Sequence, residues 1–178
     1  TPLQLCLMTA QIANGGYKIS PKIIVKEDDE SLQDIKNLIK ENSESIKEKK
    51  DLLAKASEQI LDLIKSKKHS PLYRNPENVK LIQNVMFAST NEVRGTSYSS
   101  RIENPKYQFA GKTGTSQVKR ITAKQRELEL KTIDIPYNER DHALYVAFGP
   151  YKNPRYAVSI VVEHGGSGST KAAPMAKK

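Results

Sequence analysis

The tetrapeptide Lys112-Thr113-Gly114-Thr115 combines residue types suited to ligand binding. It lies within residues 107–118, a run rich in β-branched and aromatic residues that predicts a strand. Gly111 precedes it, and glycine in a strand often marks close approach by a ligand or another backbone. The amine and the two hydroxyls would supply hydrogen-bond donors to such a ligand. From the triplet alone, a bulged edge strand with an exposed lysine remains the alternative.

A serine–lysine pair, Ser116 and Lys119, has the Ser-x-x-Lys spacing that places an amine one turn from a hydroxyl on a helix. Such a pair can form an activated nucleophile. Here it continues the predicted strand, where residues three apart point to opposite faces. We therefore reject Ser116 as a nucleophile.

The candidate ligands for a metal are scattered along the chain. His69, His142 and His164 lack partners at metal-ligand spacing, so we predict no metal site and no cofactor. Glu163 and His164 are adjacent and would face opposite ways in a strand, which favours structural roles. Cys6 is the only cysteine, and this excludes an internal disulfide.

Two helices that would flank this strand have clear start and stop signals. Thr1-Pro2 is an N-cap followed by proline at the first helical position, and Asn14-Gly15-Gly16 predicts the end of that helix. A later helix begins at Asn75-Pro76 and ends before Gly95. Between them, residues 28–68 carry apolar residues at helical spacing and contain no Pro or Gly, which predicts one or two amphipathic helices.

Two further strands follow the tetrapeptide. They are predicted at 142–148 and 155–162, with a turn at 149–154, and Ser167–Lys178 reads as the first turns of a final helix. We interpret four aromatic residues as core or sheet-face positions: Tyr107, Phe109, Tyr145 and Phe148. Helices followed by antiparallel strands indicate the α+β class. We predict an antiparallel sheet of about three strands packed with helices, interrupted by a charged helical insert.

The formal net charge of +9 could indicate nucleic acid or another anionic partner. Residues 26–80 are balanced, with 12 basic and 12 acidic residues. A basic cluster follows the tetrapeptide: Lys112, Lys119, Arg120, Lys124 and Arg126. A solvated basic surface is the simpler interpretation, and since no basic motif is interleaved with aromatic residues, we predict no nucleic-acid partner. No apolar run is long enough to cross a membrane.

The order of short motifs along the chain resembles that of class B penicillin-binding proteins. These motifs are Thr-Pro-Leu-Gln-Leu, Ala-Asn-Gly-Gly, Gly-Thr, Gly-Lys-Thr-Gly-Thr and Glu-His-Gly-Gly. The resemblance covers nearly all of the chain except residues 26–74, which we interpret as a helical insertion. Residues 147–158 with Glu163-His164-Gly165-Gly166 are most similar to elongation-type members of the family. The resemblance implies that residues 1–178 are the C-terminal part of a transpeptidase domain with a fold like that of serine β-lactamases.

Members of this family crosslink the stem peptides of peptidoglycan through a serine acyl-enzyme and bind penicillin, and they carry a Lys-Thr-Gly motif. The resemblance implies that Lys112, Thr113 and Thr115 bind the substrate carboxylate by charge-assisted hydrogen bonds. It also gives Lys112 a role in electrostatics or proton transfer, Gly114 the role of leaving room for the peptide, and the Thr115 N–H a place in the oxyanion hole. An ideal strand puts Lys112 on the opposite face from Thr113 and Thr115, so we expect strong twist or a bulge.

The one Ser-x-x-Lys match, Ser116 to Lys119, is rejected above, so we expect the family's nucleophilic motif to be missing from this chain. Ser89-Thr90-Asn91 fits the family's Ser-x-Asn pattern, but it stands at the end of a predicted helix, and we interpret the match as coincidence. In the family both motifs lie upstream, with a membrane anchor that holds the protein at the periplasmic face of the bacterial inner membrane. The isolated chain is therefore expected to be inactive and to need the N-terminal half of the same protein as a partner.

Three classes of function compete. The first is part of a peptidoglycan transpeptidase, whose partners would be stem peptides, β-lactams and the cell-elongation machinery. The second is a noncatalytic module that binds a protein through the helical insert. The third, a basic nucleic-acid-binding domain, predicts strongly salt-dependent affinity. The motif order favours the first.

Overall fold

The computed structural model describes residues 1–23, 70–120 and 134–177. The chain divides into two compact units, Thr1–Gly16 with Leu72–Lys178, and Tyr17–Pro71. In the described part of the second unit, Tyr17 and Pro71 form an isolated antiparallel bridge. The predicted helices at 28–68 lie outside the described residues, as does most of the predicted insertion, so both stay predictions.

The first helix, α1 (Pro2–Ala13), begins and ends where the sequence predicts. Its N-terminus is a capping box: the Thr1 hydroxyl accepts the Gln4 N–H at 3.3 Å, and the Gln4 side chain reaches back to the Thr1 backbone. After Ala13 the backbone passes through two glycines at φ 94° and 88°, a conformation that disfavours other residues and stops the helix.

The second helix, α2 (Pro76–Asn91), is also confirmed. The Asn75 side-chain oxygen accepts the Glu77 N–H at 2.9 Å, which caps the first turn. The helix ends because Glu92 takes an extended conformation, at φ −91° and ψ 148°. A tight turn at Gly95 then leads to a short 3₁₀ turn, Tyr98–Ser100.

Three strands form one antiparallel sheet. They are β1 (Ala110–Ser116), β2 (His142–Gly149) and β3 (Tyr156–Val162), in the order β1-β2-β3. α1 packs against β3, and α2 packs against β1. The predicted α+β class and the antiparallel sheet of three strands are therefore confirmed.

The first strand is shorter than the predicted range of 107–118. At one end, Tyr107 closes a turn by donating its N–H to the Asn104 carbonyl at 3.0 Å. At the other end, the Val118 N–H bonds to the Asp141 carboxylate at 3.2 Å rather than to a neighbouring strand. The assignment of Tyr107 to the core or the sheet is consequently wrong, since it is 52% exposed, whereas Phe109 is buried.

Alternate residues of β2 enter two apolar clusters. Ala143, Tyr145 and Ala147 pack with Ala172 and Ala173 of the C-terminal helical segment. That segment is a π-helical turn, Gly168–Ala172, which continues as a short α3, Ala173–Ala176. The other cluster joins Phe148, Ala110 and Met86 of α2. Since side chains alternate between the faces of a strand, helices cover β2 from both sides and hold β1 in place.

Candidate functional site

The Lys-Thr-Gly tetrapeptide lies on β1, at an edge of the sheet. Its pairing with β2 is continuous from Ala110 opposite Phe148 to Ser116 opposite His142, without a bulge. Among the described residues no strand pairs with the other side of β1. The backbone groups on that side therefore have no strand partner, and an extended ligand would pair with them in the way that a peptide adds to a sheet edge.

Lys112 places its amine beside this strand. The side chain is exposed, and Nζ donates a hydrogen bond to the Thr113 carbonyl oxygen at 2.8 Å. In an antiparallel strand the N–H and C=O groups of alternate residues point the same way, so the Thr115 N–H lies on the side of the Thr113 carbonyl. The Lys112 ammonium and the Thr115 N–H thus share one side of β1.

The sequence predicts strong twist or a bulge to bring Lys112 to the same place as Thr113 and Thr115. β1 contains no bulge. The long lysine stem reaches the neighbouring carbonyl instead, because it carries a charged head on four flexible carbons.

The hydroxyl of Thr113 contacts the turn that follows α2. Its Oγ1 lies 3.4 Å from Oγ1 of Thr96, which in turn lies 3.1 Å from Oγ of Ser89. Gly95 allows this turn: a Cβ at Gly95 would overlap the Ser89 carbonyl and stand 2.6 Å from the Ala88 carbonyl. The Gly-Thr dipeptide therefore sits next to the Lys-Thr-Gly strand.

A buried tyrosine supports the same strand from β2. The hydroxyl of Tyr145 lies 3.0 Å from Oγ1 of Thr90 and 3.0 Å from Oγ of Ser97. Burial raises the pKa of the Tyr145 phenol, although its hydrogen bonds with Ser97 and Thr90 act in the opposite direction. The ring passes over Gly111, where any Cβ would overlap it.

Gly114 in the tetrapeptide and Gly168 in the C-terminal segment differ in their surroundings. A Cβ at Gly114 would meet only the Leu144 Cβ, at an ordinary 3.4 Å. A Cβ at Gly168 would stand 2.8 Å from the Gly114 carbonyl and 2.5 Å from the Leu144 carbonyl. Sequence reasoning missed Gly168, which lets the C-terminal segment approach the backbone of β1.

Comparison with known proteins identifies the family to which the chain belongs. The model of the penicillin binding protein transpeptidase domain matches residues 1–178, the whole chain. The chain belongs to this family. Peptidoglycan D,D-transpeptidase MrdA of Salmonella typhimurium (strain SL1344) is 39% identical over 98 residues, 55% of this chain and 15% of that protein. The match thus covers 15% or less of the length of these curated relatives.

Solved structures support the family's fold. Pseudomonas aeruginosa PBP2, solved in complex with WCK 5153, aligns with a TM-score of 0.57 and 28% identity over 99% of this chain and 29% of that chain. PBPA from Mycobacterium tuberculosis aligns with a TM-score of 0.51 and 19% identity over 99% of this chain and 30% of that chain, a likeness of fold alone. The predicted resemblance to class B penicillin-binding proteins of the elongation type is confirmed.

Within this transpeptidase domain, two sequence matches to the family's serine motifs take part in structural contacts. Nζ of Lys119 is ion-paired with the Glu139 carboxylate at 2.9 Å. The Asn91 amide donates to the carbonyls of Phe87 at 3.0 Å and Phe109 at 2.9 Å, which ties α2 to the start of β1. Ser89 bonds Thr96, as described above.

The two described histidines of the transpeptidase domain contact one another. His142 Nδ1 accepts the His164 N–H at 2.9 Å, and Nδ1 of His164 lies 3.0 Å from the Arg140 carbonyl. His164 has a φ of 53°, so the chain turns sharply there at the end of β3. Within residues 1–23, 70–120 and 134–177, no three His, Cys, Asp or Glu side chains are grouped to hold a metal ion.

A groove of about 670 Å³ lies at the other end of the sheet. Phe109, Phe148 and Pro150 contribute to its apolar lining, which includes none of the four tetrapeptide residues. Across the described part of the chain, no helix has the length and apolar character needed to cross a membrane.

Proposed function

We propose that the chain forms part of a peptidoglycan D,D-transpeptidase, which joins stem peptides through a serine acyl-enzyme and binds penicillin. Its membership of the penicillin-binding transpeptidase family supports this, as does its similarity to proteins named peptidoglycan D,D-transpeptidase MrdA. The observation that carries the proposal is the unbulged edge strand on which the Lys112 ammonium and the Thr115 N–H share one side.

The chemistry of a stem peptide or penicillin suits this strand. Each has a carboxylate that the Lys112 ammonium and the hydroxyls of Thr113 and Thr115 would bind by charge-assisted hydrogen bonds. The amide carbonyl that is attacked would then lie near the Thr115 N–H, which stabilises the developing oxyanion; such donors typically contribute about 10²- to 10³-fold in rate. Gly114 has no side chain, so the ligand backbone approaches closely.

In this proposal the nucleophile comes from residues upstream of Thr1 in a longer protein. The positive charge of Lys112 would stabilise negatively charged groups in the site, and Lys112 would take part in proton transfer. It is not the nucleophile. The longer protein would act at the periplasmic face of the inner membrane, on stem peptides, and together with the cell-elongation machinery. The helical insertion at 26–74 remains a prediction with no assigned role.

Labelling with a fluorescent penicillin tests the proposal. The 178-residue chain alone is compared with the longer protein that includes the upstream Ser-x-x-Lys motif, each with and without excess unlabelled penicillin. We expect competitor-sensitive covalent labelling of the longer protein only. Labelling of the short chain would place the nucleophile within it, and absence of labelling in both would contradict the transpeptidase assignment.

A further inference from the structure

The Gly95-Thr96 turn stands beside the tetrapeptide without a role in the function proposed so far. The Thr96 hydroxyl is the middle member of a row of three, with Ser89 Oγ at 3.1 Å on one side and Thr113 Oγ1 at 3.4 Å on the other. Thr96 is exposed, whereas Ser89 and Thr113 are half-buried, so solvent reaches the row at its middle member.

Hydrogen bonds between Ser97 and Ser89 fix the turn that carries Thr96. The N–H and the hydroxyl of Ser97 both bond the Ser89 carbonyl at 3.0 Å, and Ser97 is fully buried. The Tyr145 phenol donates to the Ser97 hydroxyl at 3.0 Å. Because the turn is fixed by these bonds and by the lack of space at Gly95, Thr96 has little freedom to move away from Thr113.

The direction of the hydrogen bonds follows from the chemistry of a hydroxyl, which has one hydrogen to donate and two lone pairs that accept. If Thr113 donates its hydrogen to an anionic ligand, it must accept from Thr96, and Thr96 must then accept from Ser89. A row of hydroxyls aligned in this way polarises each member and strengthens the last bond.

We propose that Thr96 is a positioning residue: its hydroxyl orients Thr113 to donate to the carboxylate of the substrate or of penicillin. This inference rests on the proposed function and extends it to a residue outside the Lys-Thr-Gly motif. The Thr96 hydroxyl therefore strengthens the binding only of ligands with a carboxylate, since a neutral ester gives Thr113 no anionic acceptor.

The test compares fluorescent penicillin with its methyl ester in the longer protein, with the second-order rate of covalent labelling as the readout. Thr96→Val removes the hydroxyl at nearly constant volume. We expect it to slow labelling by the acid about 3- to 10-fold, the range for loss of one hydrogen bond, and to leave labelling by the ester unchanged. Thr96→Ser keeps the hydroxyl and should restore the wild-type rate with the acid.

Ser89→Ala, which removes the first hydroxyl of the row, serves as a second variant if Thr96→Val melts early. It should slow labelling by the acid by a smaller factor and leave labelling by the ester unchanged. Equal slowing of acid and ester, or wild-type rates with both in the variants, would overturn the inference while the proposed function stands. Absence of labelling in the wild-type protein would instead remove the proposed function on which the inference rests.

Discussion

The ring of Tyr145 lies directly over Gly111, so a methyl group at position 111 would overlap the phenol oxygen and ring carbons. Residue 111 is opposite Ala147 in the register, and Tyr145 leans along β2 toward it to reach Thr90 and Ser97. The start of the Lys-Thr-Gly strand is therefore fitted to one buried aromatic side chain.

Gly111→Ala should consequently destabilise the fold. The added Cβ forces the Tyr145 ring or the backbone of β1 to move, and overpacking of this kind costs about 1–3 kcal/mol. Thermal melting of the longer protein measures the loss. An unchanged melting temperature would show that Tyr145 can move aside freely.

Gly114→Ala is the matched control within the same strand. Its Cβ would meet only the Leu144 Cβ at 3.4 Å, so we expect the melting temperature to stay near the wild-type value. The rate of penicillin labelling should nevertheless fall, because the methyl group occupies space proposed for the ligand backbone. A stable variant that labels at the wild-type rate would remove Gly114 from the proposed site.

Tyr145→Phe tests the buried hydroxyl network. At neutral pH we expect a loss of about 1–2 kcal/mol of stability, since the Thr90 and Ser97 hydroxyls lose their hydrogen bonds to the buried phenol. Burial raises the phenol's pKa above 10.0, so in wild type its contribution is complete below about that pH and is lost as the pH rises through the folded-state pKa.

The stability difference between wild type and Tyr145→Phe should therefore narrow above pH 10. Urea unfolding at a series of pH values measures it, and the comparison cancels the titration of the other tyrosines and lysines. A difference that stayed constant up to pH 11.5 would contradict a raised phenol pKa.

Asn91→Asp tests the link between α2 and β1. The substitution keeps the shape but replaces an amide donor by an acceptor that faces two carbonyl oxygens, Phe87 and Phe109. We expect a loss of about 1–3 kcal/mol. Asn78→Asp makes the same chemical change in the exposed first turn of α2, where its effect should stay within about 0.5 kcal/mol. Equal losses in both variants would argue against the link.

Local signals predicted the helices well because their causes are local. Thr1 and Asn75 cap the first turns with their own side chains, and the glycines after α1 end it within two residues. The ends of β1 could not be predicted in this way, since a turn to Asn104 and a bond from Val118 to Asp141 decide them.

The candidate site could likewise be predicted only in part. The tetrapeptide is visible in the sequence, but its neighbours are distant along the chain: Thr96 lies 17 residues from Thr113, and Ser97 lies 48 residues from Tyr145. The side on which Lys112 acts could not be read from strand alternation alone, because the flexible side chain carries the amine to the Thr113 carbonyl.

The ammonium of Lys112 is central to the proposed function, and the labelling rate of Lys112→Ala in the longer protein tests it most directly. Lys119→Ala is the matched control, because that amine is paired with Glu139. We predict a fall of about 10- to 100-fold for Lys112→Ala, the loss of one charge-assisted hydrogen bond, and less than about 2-fold for Lys119→Ala. Wild-type labelling by Lys112→Ala, or an equal fall in both variants, would contradict the account.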